Sequence, residues 1–143
     1  MYIGLKHLHS SVPYLLLLLL VVTLLISIIN MSKNGEYTKT HDRLSLFTLI
    51  LSHIQFLVGI VLLFVSPIAQ QGMQDMGAAM KDPTLRLYVV EHPTVMILSI
   101  VLITIGRKRS KKFTGGQRHK QVAIFFGLAL ALMLSRIPWD AWL

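Results

Sequence analysis

The sequence contains no cysteine and few charged residues. Of its 143 residues only 14% are charged, and only six are acidic. The absence of cysteine excludes disulfide bonds, thiolate zinc sites and cysteine-bound iron–sulfur clusters, which leaves histidine, methionine and carboxylates as possible metal ligands. Because 54% of the residues are hydrophobic, an ordinary soluble domain is excluded, and the composition indicates a protein that crosses a membrane several times.

Four apolar stretches are candidate transmembrane helices. They cover residues 12–30, 44–65, 87–106 and 122–137. About 20 residues, each rising 1.5 Å, cross the hydrocarbon layer of about 30 Å. We therefore predict an all-α fold, an integral membrane four-helix up-down bundle that forms a single transmembrane domain over residues 1–143.

The basic residues predict the orientation of this bundle. Of the fourteen Lys and Arg, three lie in the connection 32–43 and seven in the basic loop 107–121, whereas four lie in the outer segments. Basic connections tend to stay in the cytoplasm, so we predict an N-out, C-out topology. The net charge of +8 then serves topology and contact with anionic lipid headgroups, and it does not indicate nucleic acid.

Small residues recur at regular intervals in two of the spans. They are Ser45, Ser52, Gly59 and Ser66 at every seventh position, and Ala123, Gly127, Ala131 and Ser135 at every fourth. Such rows let the backbones of membrane helices approach closely. We predict that both rows face neighbouring helices.

Several polar side chains lie within or beside the spans, where they are costly and need partners. A rise of about 1.5 Å per residue puts His92 roughly 21 Å from the cytoplasmic end of its span, and Arg136 roughly 24 Å. The same count puts His9 about 10 Å further out than His92, and His53 lower by a similar amount. In contrast, His41 and His119 fall in the cytoplasmic loops and are predicted to be solvated.

One interpretation of these residues is a site for a b-type haem in the outer half of the bundle. Such a site needs two imidazoles on facing helices, small residues beside the ring and cations near the propionates. His9, His92 and His53 are the candidate ligands, and spacing alone does not choose between the pairs. Arg136, with Arg86 and Lys6, would lie near the propionates, and Gly59 would leave room for the ring.

Two other interpretations use the same polar residues. In the first, Glu91 and Arg136 form a buried ion pair, His92 is its hydrogen-bonded neighbour, and His53 donates to a carbonyl group of an adjacent helix. In the second, the outer surface handles copper. The residues for that role are His7, His9, Met73, Met76 and Met80, of which the methionines would form a stripe on one short helix.

Short motifs add a resemblance to a known family. The motifs are Leu8-His9-Ser10, Leu57-Val58-Gly59-Ile60 and Val90-Glu91-His92-Pro93 with Met96, followed by the basic loop. Together they resemble small bacterial four-helix membrane proteins of the cytochrome b-like type. The segment Ser52-His53-Ile54-Gln55 is similar to helices of haem A synthases and other b-type bundles. The first resemblance implies that His9 and His92 are the ligand pair, that the cofactor is haem b, and that the protein is a multi-pass protein of the bacterial inner membrane.

The predicted function is therefore that of a membrane b-type cytochrome, or of a haem-bearing subunit of a respiratory complex, which carries electrons near the outer face. The alternative is a haem-free accessory subunit of a larger membrane complex. In both cases the partners are the lipid bilayer and other membrane subunits, and binding of a quinone stays open. Nothing in the sequence indicates a nucleophile, a phosphate loop or an acid–base pair, so hydrolase and transferase chemistry is not predicted.

Overall fold

The computed structural model describes residues 1–142, and every regular element in that range is a helix. Four long helices are joined by short connections and short helices. The elements are α1 (Tyr2–Ser32), α2 (Lys39–Val65), α3 (Pro67–Gln74), α4 (Met76–Lys81), α5 (Pro83–Arg86), a π-helical turn (Leu87–Glu91), α6 (His92–Ser110), α7 (Gly115–Ser135) and α8 (Trp139–Trp142). The predicted all-α class is confirmed.

Three helical segments are long and apolar enough to cross a membrane. They are Tyr2–Ser32, Lys39–Val65 and Pro83–Ser110. The fourth predicted span lies largely in α7, which is not one of the three. The first turns of α7 are polar and carry Arg118 and Lys120. The helices also extend beyond the predicted spans, since polar residues continue them at both ends.

The four long helices surround a common interior. α7 packs against both α1 and α6, while α2 packs against α1 and, over a smaller area, against α6. The core is formed by Leu20, Ile103, Val122, Phe126, Ala129 and Met133. On α6, Gly106 lies directly against Phe125, and a Cβ atom there would overlap that side chain. Contacts of this kind hold membrane helices together through close packing, because lipid removes the hydrophobic drive for association.

The two rows of small residues have different outcomes. On α2, Ser45, Ser52 and Ser66 are buried, as the seven-residue spacing predicts. On α7 the prediction holds only for the first half of the row. Ala123 is buried and a Cβ atom at Gly127 would contact Leu24 of α1, whereas Ala131 and Ser135 are exposed. Every fourth residue of an α-helix turns about 40° further round the axis, so the row leaves the packed face, which continues through Ala129 and Met133.

The predicted basic loop 107–121 is mostly helical. α6 continues to Ser110 and α7 begins at Gly115, so only residues 111–114 lie between them. Arg107 is buried, and its Nη1 lies 3.1 Å from Oδ1 of Asp42 at the start of α2. Arg118 on α7 reaches the same Oδ1 at 3.2 Å. These two basic residues therefore hold helices together instead of facing lipid headgroups.

His119 corrects a second prediction at this end. Its side chain is fully buried, whereas the sequence predicted a solvated histidine. Its Nε2 lies 3.1 Å from the carbonyl oxygen of Glu36, to which it donates a hydrogen bond. The ring of His41 packs edge-on against it, with 4.7 Å between ring centres. Both histidines belong to a packed cluster that joins the two connections at this end of the helices.

The segment between α2 and α6 forms the cap of the opposite end. The predicted single helix with a methionine stripe is wrong, since Asp75 interrupts it and its side chain caps α4 through the amide of Ala78. Met73 therefore lies on α3, whereas Met76 and Met80 lie exposed on α4. α3 packs against the π-helical turn that leads directly into His92.

Candidate functional site

Two imidazole rings meet at the capped end of the helices. His9 lies on α1 and His92 is the first residue of α6, and their ring centres are 6.1 Å apart with the ring planes at 78°. The offset of about 10 Å expected between them is not observed. α6 continues for about one turn beyond Gly106, so counting from that residue placed His92 about 6 Å too low.

Local backbone structure sets the position of His92. The π-helical turn Leu87–Glu91 precedes it, and the amide of His92 bonds to the carbonyl of Leu87, five residues earlier. Pro93 follows and has no amide hydrogen, so it removes a bond that would otherwise continue the α-helical pattern backwards. Single π-helical turns occur frequently at functional sites because they re-aim the side chains around them.

Each ring is held through its Nδ1 atom. Nδ1 of His92 donates to the carbonyl oxygen of Arg136 at 2.8 Å. Nδ1 of His9 lies 3.0 Å from Nε2 of Gln55, and the same amide nitrogen donates to the His9 carbonyl at 2.7 Å. Among the described residues, nothing bonds to Nε2 of either ring. The pair therefore presents two oriented nitrogens that can serve a ligand.

Gly59 on α2 completes the support of His9. A Cβ atom at Gly59 would lie 3.0 Å from Cε1 of the His9 ring, which is closer than ordinary packing allows. Glycine is therefore needed here for close approach of α2 to the imidazole. Gln55 lies one turn away on the same helix, so α2 fixes both the ring and the backbone of His9.

A cavity of about 490 Å³ adjoins both imidazoles. Its walls come from all four long helices and are mostly apolar. Leu16, Ser52, Ile100 and Met133 line its deeper part. Ile100 lies eight residues beyond His92 along α6, so the cavity continues about 12 Å below the imidazole level. This volume falls within the range of sites for small molecules and cofactors.

Several charged side chains lie at the capped end of the helices, and of these, within residues 1–142, only Lys6 lines the cavity. Glu91 bonds to Nε of Arg86 at 2.8 Å through one carboxylate oxygen, and to Nε of Arg136 at 3.2 Å through the other. The predicted pairing of Glu91 with Arg136 is thus present, although both side chains are partly exposed. Lys6 lines the cavity itself, and no carboxylate in the described residues pairs with it.

The separation of the two rings suits one metal ion between them. A metal–nitrogen bond of about 2 Å on each side, with about 1.1 Å from nitrogen to ring centre, puts the two ring centres about 6 Å apart. The distance of 6.1 Å between His9 and His92 matches this value. The described residues contain no group of three or more histidine, aspartate or glutamate side chains that could hold a metal ion. Two protein ligands are enough for a haem iron, because the porphyrin macrocycle fills its other coordination positions.

The amide of Gln55 bears on how His9 would bind a metal. In the arrangement described, Nδ1 of His9 accepts a hydrogen bond, so the ring proton lies on Nε2. If His9 held a metal through Nε2, its proton would lie on Nδ1, and the Gln55 amide would have to turn to accept it. That turn would break the bond that Nε2 of Gln55 donates to the His9 carbonyl. Oε1 of Gln55 is buried and has no hydrogen-bond partner within residues 1–142. The sequence alone gave Gln55 no role, although a glutamine inside an apolar span is a recognisable signal.

The remaining candidates lie elsewhere. His53 is exposed and lines a separate depression between α2 and α6. Its Nδ1 donates to the carbonyl of Leu49 at 2.8 Å, one turn earlier on its own helix, so the predicted bond to an adjacent helix is wrong. His7 is exposed on α1. The structure therefore brings His9 and His92 together, joins Arg136 to His92 through its main-chain carbonyl, and leaves His53 outside their cavity.

Comparison of the chain with known protein families, with curated proteins and with solved structures finds no match. Its function is therefore inferred from the geometry of its own residues.

Proposed function

We propose that the protein is a membrane b-type cytochrome in which His9 and His92 bind one haem b. The observation that carries this proposal is the pair of imidazoles beside an apolar cavity, with ring centres 6.1 Å apart and no hydrogen-bond partner at either Nε2 among the described residues. Residues 122–137 complete a four-helix up-down bundle in a bacterial inner membrane. The basic connections face the cytoplasm, so the haem lies near the outer face.

The cavity supports haem through its shape and its charges. The macrocycle is apolar and would fill the space that continues below the two rings towards Ile100 and Met133. The propionates are anionic and would turn to the capped end, where Lys6 lies on the cavity wall and the main-chain carbonyl of Arg136 bonds to His92. Glu91 partly neutralises Arg136, which leaves Lys6 as the cation with the greater freedom to meet a propionate.

When bound, haem b supplies one-electron transfer, and the residues of this chain set its properties. His92 is oriented by the carbonyl of Arg136, a contact that makes the ligand more basic. The apolar walls exclude water and lower the local dielectric constant, which tunes the potential of the iron. The chain would act alone or as the haem-bearing subunit of a respiratory complex.

The second candidate is a haem-free accessory subunit of a larger membrane complex. The specific observation in its favour is that Glu91 bonds to both Arg86 and Arg136, so these polar groups satisfy one another without a cofactor. The exposed small residues Ala131 and Ser135 on α7 would then allow another helix to approach closely.

The optical spectrum of the purified protein separates the two candidates. We expect the wild-type protein, produced with adequate haem supply, to show a Soret band and a reducible alpha band. In His9→Ala and His92→Ala the haem content should fall by more than about tenfold, because ligands contribute more than the outer contacts that already cost 10- to 100-fold. The measurement is haem per mole of protein.

His7→Ala is the matched control, since His7 lies two residues from His9 on the same helix but is exposed. It should keep the full haem content. A colourless wild-type protein that co-purifies with larger subunits would instead support the accessory role.

A further inference from the structure

A second depression lies on the outside of the bundle, between α2 and α6. Its volume is about 280 Å³, and its walls include His53 and Phe56 from α2 together with Ile97, Val101 and Thr104 from α6. All of these residues belong to segments long and apolar enough to cross a membrane. The depression therefore opens towards the lipid phase and not towards water.

His53 brings an unusual polar group to this surface. Its Nδ1 donates to the carbonyl of Leu49 at 2.8 Å, so Nε2 of the neutral ring carries a lone pair and accepts hydrogen bonds. Among the described residues, no donor reaches this Nε2. The hydroxyl of Thr104 donates to Ile100 at 2.8 Å, which leaves its oxygen as a second acceptor. The groove thus presents two hydrogen-bond acceptors, which match a ligand that donates hydrogen bonds.

The groove and the imidazole cavity share a wall. Phe56, Ile97 and Ile100 line both spaces, so a single layer of side chains separates them. A molecule in the groove would be close to a haem in the cavity without being exposed to water. This adjacency favours a redox-active ligand over an inert lipid chain.

We propose that this groove binds the headgroup of a lipid-soluble hydroquinone. The phenolic hydroxyl groups supply the donors that His53 and Thr104 need, whereas an acyl chain supplies none. Phe56, Ile97 and Val101 supply apolar contact for the ring, and the isoprenoid or alkyl tail extends into the bilayer. Because both acceptors require donors, the reduced form binds more tightly than the oxidised quinone. The proposal that the hydroquinone binds depends only on the groove. The further role of the hydroquinone as an electron source rests on the haem proposed above.

Anaerobic calorimetry with decylubiquinol tests the proposal, using the full chain in lipid nanodiscs and subtracting the signal of empty nanodiscs. We expect saturable binding of one molecule per chain. His53→Leu should weaken it by about tenfold, the effect of one lost hydrogen bond. Thr104→Val should weaken it less. His7→Leu, which removes an exposed histidine outside the groove, should leave binding unchanged.

Several results would overturn the proposal. One is decylubiquinol uptake no greater than that of empty nanodiscs, and another is equal affinity in the wild type and in His53→Leu. Crosslinking from residue 53 to a co-purified membrane helix would assign the groove to a protein partner. The fate of the haem proposal is read separately, since His9→Ala should lose haem and keep decylubiquinol binding.

Discussion

The two ends of the helices each hold a pair of histidines, and the pairs differ in what surrounds them. At the capped end, which is the outer end in the proposed topology, His9 and His92 have ring centres 6.1 Å apart and border a cavity. At the other end, the inner end in that topology, the ring centres of His41 and His119 are 4.7 Å apart, and His119 is fully buried. Similar residues therefore hold a space open at one end and fill it at the other.

The partners of each pair explain this difference. The inner pair lies beside Tyr37, whose ring packs 4.8 Å from that of His119 and beneath the guanidinium of Arg118 at 4.0 Å. These side chains fill the space between the helices at this end. The outer pair instead lies beside Gly59, whose missing side chain lets the His9 ring lie against α2, and both rings border the cavity. Proximity of histidines is thus a poor indicator of a site unless the neighbouring residues leave room for a ligand.

Asp42→Asn should have the largest effect on stability, and it should act only at the inner end. Asp42 pairs with both Arg107 and Arg118, and the Arg107 side chain is only 9% exposed. Loss of the carboxylate charge leaves buried positive charge poorly compensated, so we expect the free energy of unfolding to fall by about 2 kcal/mol. Thermal unfolding in detergent, followed by circular dichroism, measures this change.

Asp140→Asn is the control for that variant, because Asp140 is exposed and forms no ion pair in the described residues. Haem content at the outer end should be the same in both variants. Equal stability of Asp42→Asn and the wild type would show that the inner cluster does not hold the helices together.

Gly59→Ala should have an intermediate effect, confined to the outer end. The added Cβ would lie 3.0 Å from Cε1 of His9, so the ring must shift by a few tenths of an ångström. We expect haem affinity to fall about fivefold, or about 1 kcal/mol, which is the lower range for overpacking. Haem titration of the haem-free protein provides the measurement.

Gly4→Ala is the matched control, since a Cβ at Gly4 meets no atom within 4 Å. Its haem affinity should equal that of the wild type. An unchanged affinity in Gly59→Ala would mean that close approach of α2 does not position the His9 ring.

Glu91→Gln should have the smallest effect on stability. The pairs of Glu91 with Arg86 and Arg136 are partly exposed, and such pairs contribute less than about 1 kcal/mol. With haem bound as proposed, removal of this nearby negative charge would favour the reduced iron, so we expect the midpoint potential to rise by about 30 mV, or about 0.7 kcal/mol for one electron. Redox titration measures the shift.

Glu36→Gln removes one negative charge at the inner end, where Glu36 is exposed. It should leave the potential unchanged within error. An equal shift in both variants would place the redox centre away from Glu91.

The sequence predicted the helices well and their ends poorly, for a physical reason. Apolar runs reveal where a chain crosses a membrane, because only helices of sufficient length satisfy the backbone there. They do not reveal how far the helix continues in polar residues. Arg107 was therefore assigned to a loop, although it lies inside α6 and pairs with Asp42, 65 residues earlier in the chain. Such a distant pair leaves no trace in local spacing.

For the candidate site too, the sequence predicted which residues take part but not the contacts between distant parts of the chain. His9, His92 and Arg136 were found because polar residues near membrane spans need partners. Their relative heights were wrong, since depth was counted from misplaced helix ends. Gln55 was mentioned only within a motif, because its role depends on a contact with α1 that spacing on α2 cannot predict.

Because of the π-helical turn Leu87–Glu91, the orientation of the cap depends on the number of residues in that turn as much as on their identity. An ordinary α-helix advances about 100° per residue, so deletion of one residue from this turn would rotate everything before it by about that angle. Arg86 would rotate away from Glu91 and lose its ion pair, and Gly72 of α3 would lose its packing contact with Val89. His92 and the helix after it would keep their places. The π-helical turn thus sets how far the cap segment is rotated about the axis of α6, and it does so without changing the position of His92.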